Sequence, residues 1–255
     1  MKIYIENFLK FLGGTTILSI QVLKEAFLWP FPIKLTIEQI YQVGIKSLPI
    51  VFITAASTGM VMALQFGLGL EKFGGKLYVP KIVSLSIIRE MGPVFTCLML
   101  AARVGAGITS EIGSMTVTQQ IDALRALGTS PIKKVVLPRV AACLFTIPLL
   151  VAMANAIGVI GGLVVGSSDL GLDPQFYIQK VYETISLVDY FSGLAKAPVF
   201  AAVIALVACY YGLTVEEGTR GVGSATTKSV VTSSIFILVG DYFLTKAFWV
   251  IEQWL

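Results

Sequence analysis

The sequence predicts an all-α integral membrane fold of five transmembrane helices, with an N-terminal interfacial amphipathic helix before them and a cytoplasmic coupling helix between the second and third spans. Three observations predict it. Apolar residues make up 56% of the 255 and charged residues only 13%, with a mean hydropathy of +0.84, whereas soluble domains carry about 25% charge. Five stretches reach the length of roughly 20 mostly apolar residues that a helix needs to cross the hydrocarbon layer. The Lys and Arg residues fall unequally on the connecting segments.

The elements follow in order. In residues 1–32, Ile5, Phe8, Leu9 and Leu12 share one helical side and Lys2, Glu6 and Lys10 the other, with Gly13-Gly14 expected to interrupt the middle and Pro30 and Pro32 to end it. This pattern suits a helix lying in the interface. A basic start, apolar core and small-residue cleavage site are not combined there, so no cleaved signal peptide is expected. Thr36 offers an N-cap with Gln39 three residues on, and Ile37, Ile40, Tyr41, Ile45 and Leu48 continue one face into the first span, residues 47–70.

The second span, 82–102, is broken only by Arg89 and Glu90, and the fifth, 229–251, only by Asp241 and Lys246, while the third, 140–168, and fourth, 197–215, carry no charge. In the connection 103–138, Thr116 is the expected N-cap, Gln119 its reciprocal partner, Val117, Ile121 and Leu124 an apolar stripe, Gly128 the left-handed C′ residue and Pro131 the stop. A helix over about 117–127 follows from these signals. It either lies on the bilayer or docks a soluble partner, with Gln120, Asp122 and Arg125 fixing the register. Asp173-Pro174 starts another short helix, expected at the outer interface, with Tyr177, Val181, Tyr182 and Ile185 on one side and Gln179, Lys180 and Glu183 on the other.

Cytoplasmic loops retain the excess of Lys and Arg. Twelve of the 19 lie in residues 1–46, 103–139 and 216–228, and five in 71–81 and 169–196. The N-terminus is therefore expected inside and the C-terminus outside. No internal repeat is visible, so one membrane domain over 1–255 is expected, with 1–32 as the interfacial helix and 36–255 as the bundle.

The chemistry is sparse. Histidine is absent, and Cys97, Cys143 and Cys209 lie in three different apolar segments without metal-binding spacing, so they read as small buried hydrophobes. Neither a metal nor a cofactor is expected on this chain. Arg89, Glu90, Lys196 and Asp241 stand out, because an ionisable group inside a bilayer is costly and is kept for a partner or a task. Structural pairing, for instance Arg89 with Asp241, and a polar zone lining a lipid or solute cavity both remain open. Small residues around Gly59, Gly105 and Gly158 suit close helix approach, and the flexible Met60 and Met62 suit a surface that adapts to acyl chains. An ion-coupled secondary transporter using Arg89, Glu90 and Asp241 as a relay is the alternative, disfavoured by five spans without a repeat. An intramembrane enzyme lacks obvious machinery.

Several spaced motifs occur in one order: Arg89-Glu90-Met91-Gly92-Pro93-Val94, Ala102-Arg103-Val104-Gly105, Glu111-Ile112-Gly113-Ser114-Met115, Gln120-Ile121-Asp122-Ala123-Leu124, Pro138-Arg139 and Ala225-Thr226-Thr227-Lys228-Ser229-Val230-Val231. From about Ile45 to Thr245 the chain resembles the MlaE/YrbE-type permeases of lipid-transporting ABC systems that work with MCE-domain proteins. The resemblance implies a homodimer in the inner membrane, or in its chloroplast counterpart, the inner envelope. It implies a cytoplasmic ABC ATPase that binds ATP and Mg, a small STAS-like regulator on that ATPase, and a periplasmic MCE-domain protein. It further implies that phospholipid is bound near Met62, Gln65, Arg89, Glu90 and Lys196, and that the ATPase couples through Glu111, Gly113, Met115, Ile121, Asp122 and Leu124. Thr116 and Gln119 depart from the basic residue and Glu that many members carry. No Gly-rich phosphate loop ending in Gly-Lys-Ser/Thr occurs, so the nucleotide is expected on another chain. A shielded path is physically required, since two bare acyl chains in water cost on the order of 20 kcal/mol at about 0.8 kcal/mol per CH₂.

Overall fold

The computed structural model describes residues 2–28, 31–216 and 218–253; the side chains of residues 2–5, 7 and 8 lie outside that description, and with them Lys2, Ile5 and Phe8 of the amphipathic pattern, as does Pro30. The described residues form helices and connecting turns without a strand. Among the described residues, five helical stretches are long and apolar enough to cross a membrane: Ile33–Glu71, Lys76–Val117, Ile132–Ser168, Leu187–Leu213 and Gly218–Glu252. The all-α membrane fold read from composition is the fold observed.

Helix α1 (Lys2–Ala26) runs unbroken through Gly13-Gly14. Gly14 is not an interruption but a point of close approach, because a Cβ there would run into the ring of Tyr210. Phe11 stacks on Tyr211 at 5.5 Å and meets Tyr210 edge-on at 5.4 Å, while Leu9, Ile17, Ile20 and Leu23 stay exposed. The helix is thus apolar beyond the surface that protein covers. Helix α2 (Ile33–Val43) begins directly after Pro32, and Thr36 does not cap it: its hydroxyl donates back to the Pro32 carbonyl at 3.0 Å. A 3₁₀ turn, Ile45–Ser47, joins it to α3 (Leu48–Glu71) as expected. Ile37, Tyr41 and Ile45 are each more than half exposed.

The second span comprises α4 (Val79–Ser86), α5 (Gly92–Leu100) and α6 (Ala106–Val117), separated by π-helical turns at Ile87–Met91 and Ala101–Gly105. Such turns occur frequently at functional sites, and the first holds Arg89 and Glu90. The expected capping box at Thr116 does not form. Thr116 lies in the last turn of α6 and donates to the carbonyls of Ile112 at 2.9 Å and Gly212 at 3.1 Å. The break comes from Gln119, left-handed at φ 58°, which starts α7 (Gln120–Ala126). Gly128 ends α7 as expected: at φ 70° its N–H donates to Arg125 O, and that of Thr129 to Leu124 O, a Schellman pattern. Pro131 opens the next helix rather than blocking it, a position where its missing N–H costs nothing. A π turn at Ile132–Val136 then leads into α8 (Leu137–Ser168).

Helix α9 (Pro174–Thr184) has the predicted cap, with the Asp173 carboxylate accepting from Phe176 N–H at 2.9 Å. Tyr177 is buried, but Tyr182 is 82% exposed and leaves the side assigned to it. Helices α10 (Leu187–Leu213) and α11 (Gly218–Glu252) complete the chain. Cys97, Cys143 and Cys209 are buried free thiols, in keeping with their reading as small hydrophobes.

Two compact units emerge, each made of three stretches: residues 1–46, 100–146 and 201–236, and residues 47–99, 147–200 and 237–255. In the first, the Thr109 hydroxyl reaches Ala208 O at 3.1 Å, and Gly212 lets its helix lie against Ile112. In the second, a core of Ala63, Val79, Val83, Ile87, Leu170, Leu172 and Tyr177 forms between α3, α4 and α9. A Cβ on Gly59 would strike the Gly158 carbonyl, and one on Gly161 the Ala56 carbonyl, so close approach is what these glycines provide.

Candidate functional site

The ionic residues of the second unit form one cluster around α10. Gly193 allows α10 to lie against the first π turn, since a Cβ there would strike the carbonyl of Ile88. Lys196 stands three residues later on the same helical face. Its ammonium, 2% exposed, lies 2.6 Å from Glu90 Oε2, 2.7 Å from Thr245 Oγ1, 2.9 Å from Asp241 Oδ1 and 3.0 Å from Arg89 O. An ammonium has three protons, so four oxygens saturate it. The Thr245 hydroxyl in turn lies 3.2 Å from Glu90 Oε1.

Arg89 turns the other way. Its guanidinium donates to Asp189 Oδ1 at 2.9 Å and to both oxygens of Glu252 at 3.2 Å. Adjacent helical residues diverge by about 100°, which sends Arg89 and Glu90 to separate partners. The pairing of Arg89 with Asp241 is not the one found, because Asp241 belongs to Lys196. Two cations therefore face four carboxylates, Glu90, Asp189, Asp241 and Glu252.

An open cleft of about 590 Å³ borders this cluster. Tyr78, Lys81, Ile82, Leu85, Ser86, Arg89 and Glu90 line it from one helical face, and Leu70 from α3 closes one wall. Arg89 and Glu90 thus reach the cleft, whereas Lys196 supports them from behind. Met62 instead packs against the core around Val83 and Tyr177, and the exposed Gln65 is not on the cleft wall. Sequence reasoning missed Lys81, although its spacing of eight residues before Arg89 places it on the same face. It also missed Asp189, Thr245 and Glu252, which no local signal links to the motif.

The residues of the expected coupling region are spread between surface and interior. Glu111 is exposed and accepts from Arg139 at 3.0 Å, while Arg139 also holds Val135 O at 2.8 Å. Gly113 is buried beside Val215 and Val222, Met115 and Leu124 are half-buried, and Asp122 is exposed and paired with Arg125 at 2.9 Å. Ile121 is 3% exposed and is covered by the chain itself. The large apolar side chain that α7 and its cap leave in the open is Leu127, 78% exposed. Among the described residues no group of three or more Cys, Asp or Glu is arranged to hold a metal.

Comparison with known proteins places this arrangement in a family. The chain matches the family described as Permease MlaE over residues 36–247. It is 40% identical over 242 residues to a probable ABC transporter permease protein of Rickettsia conorii, covering 95% of this chain and 93% of that one. A probable ABC transporter permease protein of Synechocystis is 40% identical over 210 residues, 82% of this chain and 80% of its own. The Arabidopsis thaliana protein named Trigalactosyldiacylglycerol 1, chloroplastic, is 30% identical over 213 residues, 84% of this chain and 61% of its own. With the motif order, the five apolar helices and these matches in agreement, the chain belongs to the MlaE permease family and is a multi-pass membrane permease subunit of an ABC transporter.

Proposed function

We propose that this permease moves phospholipid between the inner membrane and a periplasmic MCE-protein conduit, driven by ATP and Mg bound on a separate cytoplasmic ATPase. The observation that carries the reading is the cleft, whose wall of Leu70, Ile82 and Leu85 leads to Arg89 and Glu90. An apolar wall lying between charged side chains, Lys81 toward one end and Arg89 with Glu90 at the other, suits an amphiphile, because tails leave water along the wall while the polar head keeps a charged partner. The name of the Arabidopsis relative, which contains a galactolipid, supports a lipid as cargo. The excess of Lys and Arg in residues 1–46, 103–139 and 216–228 supports a cytoplasmic N-terminus and a periplasmic C-terminus.

In this reading two copies of the chain form the transport unit, α7 presents Leu127 to the ATPase, and the STAS-like regulator acts on that ATPase. Glu111, Asp122 and the half-buried Met115 and Leu124 flank the docking surface, while Gly113 and Ile121 hold it in shape from within. The permease performs no covalent chemistry of its own.

Two measurements test this. A photoreactive residue in place of Leu85 should capture phospholipid from native membranes, and capture of none would overturn the substrate reading. Leu127→Asp should abolish co-purification of the ATPase while the permease stays inserted, since a carboxylate at an exposed position costs the fold nothing but is costly when buried under a partner. Normal co-purification from that variant would overturn the docking surface.

A further inference from the structure

The cleft has two chemically different ends, and the family motif accounts for only one. At its inner end Arg89 and Glu90 are already committed: Arg89 to Asp189 and Glu252, Glu90 to Lys196. At its outer end stands Lys81, exposed and, among the described residues, in no ion pair, while nearby Lys76 is taken by Glu71 at 2.8 Å. Eight residues separate Lys81 from Arg89, about 12 Å along a helix, and Ile82 and Leu85 fill the interval on the cleft wall.

The geometry points to Lys81 as the headgroup ligand of the cleft, selecting diacyl lipids that carry a phosphodiester over neutral ones. This rests on the amphiphile reading above and adds to it an orientation and a selectivity. The inner end holds two more carboxylates than cations, so a phosphate placed there meets surplus negative charge with no cation left uncommitted. At the outer end the Lys81 ammonium offers three donors to an anionic oxygen, and such charge-assisted bonds are the strong ones. The phosphate therefore rests at Lys81 with the tails along Ile82, Leu85 and Leu70. A diacylglycerol or galactolipid of the same tails gains the apolar contacts without the ionic one.

The test uses the full-length protein with a photoreactive residue in place of Leu85, in vesicles with equal amounts of phosphatidylglycerol, monogalactosyldiacylglycerol and diacylglycerol of identical acyl chains. Captured lipids are counted by mass spectrometry in three backgrounds: Lys81, Lys81→Gln and Lys81→Arg. Phosphatidylglycerol should exceed each neutral lipid by roughly fivefold, the scale of one ionic contact at a half-open site. That preference should vanish in Lys81→Gln, persist in Lys81→Arg and shrink at high salt. An unchanged preference in Lys81→Gln, or equal capture of all three lipids with Lys81 present, overturns the assignment while leaving the cleft as a lipid site. Capture of no lipid in any background overturns the amphiphile reading and this inference with it. Because Lys81 is exposed, a folding defect in Lys81→Gln, seen as lost helicity by circular dichroism, would contradict its role as a ligand and assign it to the fold.

Discussion

The two units bind their helices together with different chemistry. The unit containing α1 relies mainly on neutral contacts beside the pair of Arg139 with Glu111: the hydroxyls of Thr109 and Thr116 reach across to the carbonyls of Ala208 and Gly212, and the rings of Phe11, Tyr210 and Tyr211 pack together. The unit containing Lys196 uses ions, with one buried ammonium against two carboxylates and one guanidinium against two more. Hydroxyl bonds between membrane helices contribute about 0.6 kcal/mol each and are easily replaced. A buried ionic cluster gains little over apolar packing and fails badly when one partner is lost. The multi-ion cluster is therefore concentrated beside the cleft, and mostly neutral contacts, with the Arg139–Glu111 pair, hold the helices that flank α7.

The sharpest way to break this contrast is Lys196→Met. It leaves Glu90 and Asp241 facing each other without their cation, and stranding buried charge costs about 3–5 kcal/mol. Thermal unfolding in detergent should show a large loss of stability. Glu90→Gln should be far milder, because Lys196 keeps Asp241, and its effect should appear in lipid capture rather than in folding. Equal losses from the two variants would show that the carboxylate surplus has no structural meaning. Next in size is Gly59→Ala, whose methyl strikes the Gly158 carbonyl and should cost about 1–3 kcal/mol by overpacking. Gly107→Ala, with nothing within 4 Å of its Cβ position, should be neutral in the same assay. In the other unit, Thr109→Val should cost at most about 1 kcal/mol, and a loss matching that of Lys196→Met would erase the distinction between the units.

What the sequence made legible follows the same division. The spans, the Asp173 cap and the left-handed Gly128 were readable because each depends on neighbours within a few residues. The caps at Thr36 and Thr116 failed for one physical reason: a threonine hydroxyl inside a helix can return to the i−4 carbonyl, and both do so. The π turns carry no compositional signal, since they shift hydrogen-bond partners without changing residue type. Arg89, Glu90 and Lys196 could be picked out as expensive residues, yet their partners Asp189, Thr245 and Glu252 lie about 50 to more than 160 positions away along the chain. At Ile121 the sequence left open what covers the apolar stripe, because an amphipathic pattern does not say whether its own chain or a partner does, and here its own chain buries that side chain.

The smallest expected effect has the opposite sign and lies at Tyr177. Its ring occupies the space left by Gly162 and Gly166, where a Cβ would collide with it, and its hydroxyl has no hydrogen-bond partner among the described residues. A buried hydroxyl without a partner carries an uncompensated desolvation cost, so Tyr177→Phe should raise stability by about 1 kcal/mol at neutral pH. The same burial pushes the phenol from 10.0 up to about 12. Below pH 10 the proton is bound in both folded and unfolded chains, so the group adds no slope. Above it the unfolded chain releases the proton while the folded one retains it, and wild-type stability falls from about pH 10 to about pH 12. Unfolding midpoints measured across that range should fall more steeply for wild type than for Tyr177→Phe. A variant less stable than wild type at neutral pH, with the same alkaline slope, would mean that the hydroxyl is bonded to water, and the penalty assigned to this wedge would be absent.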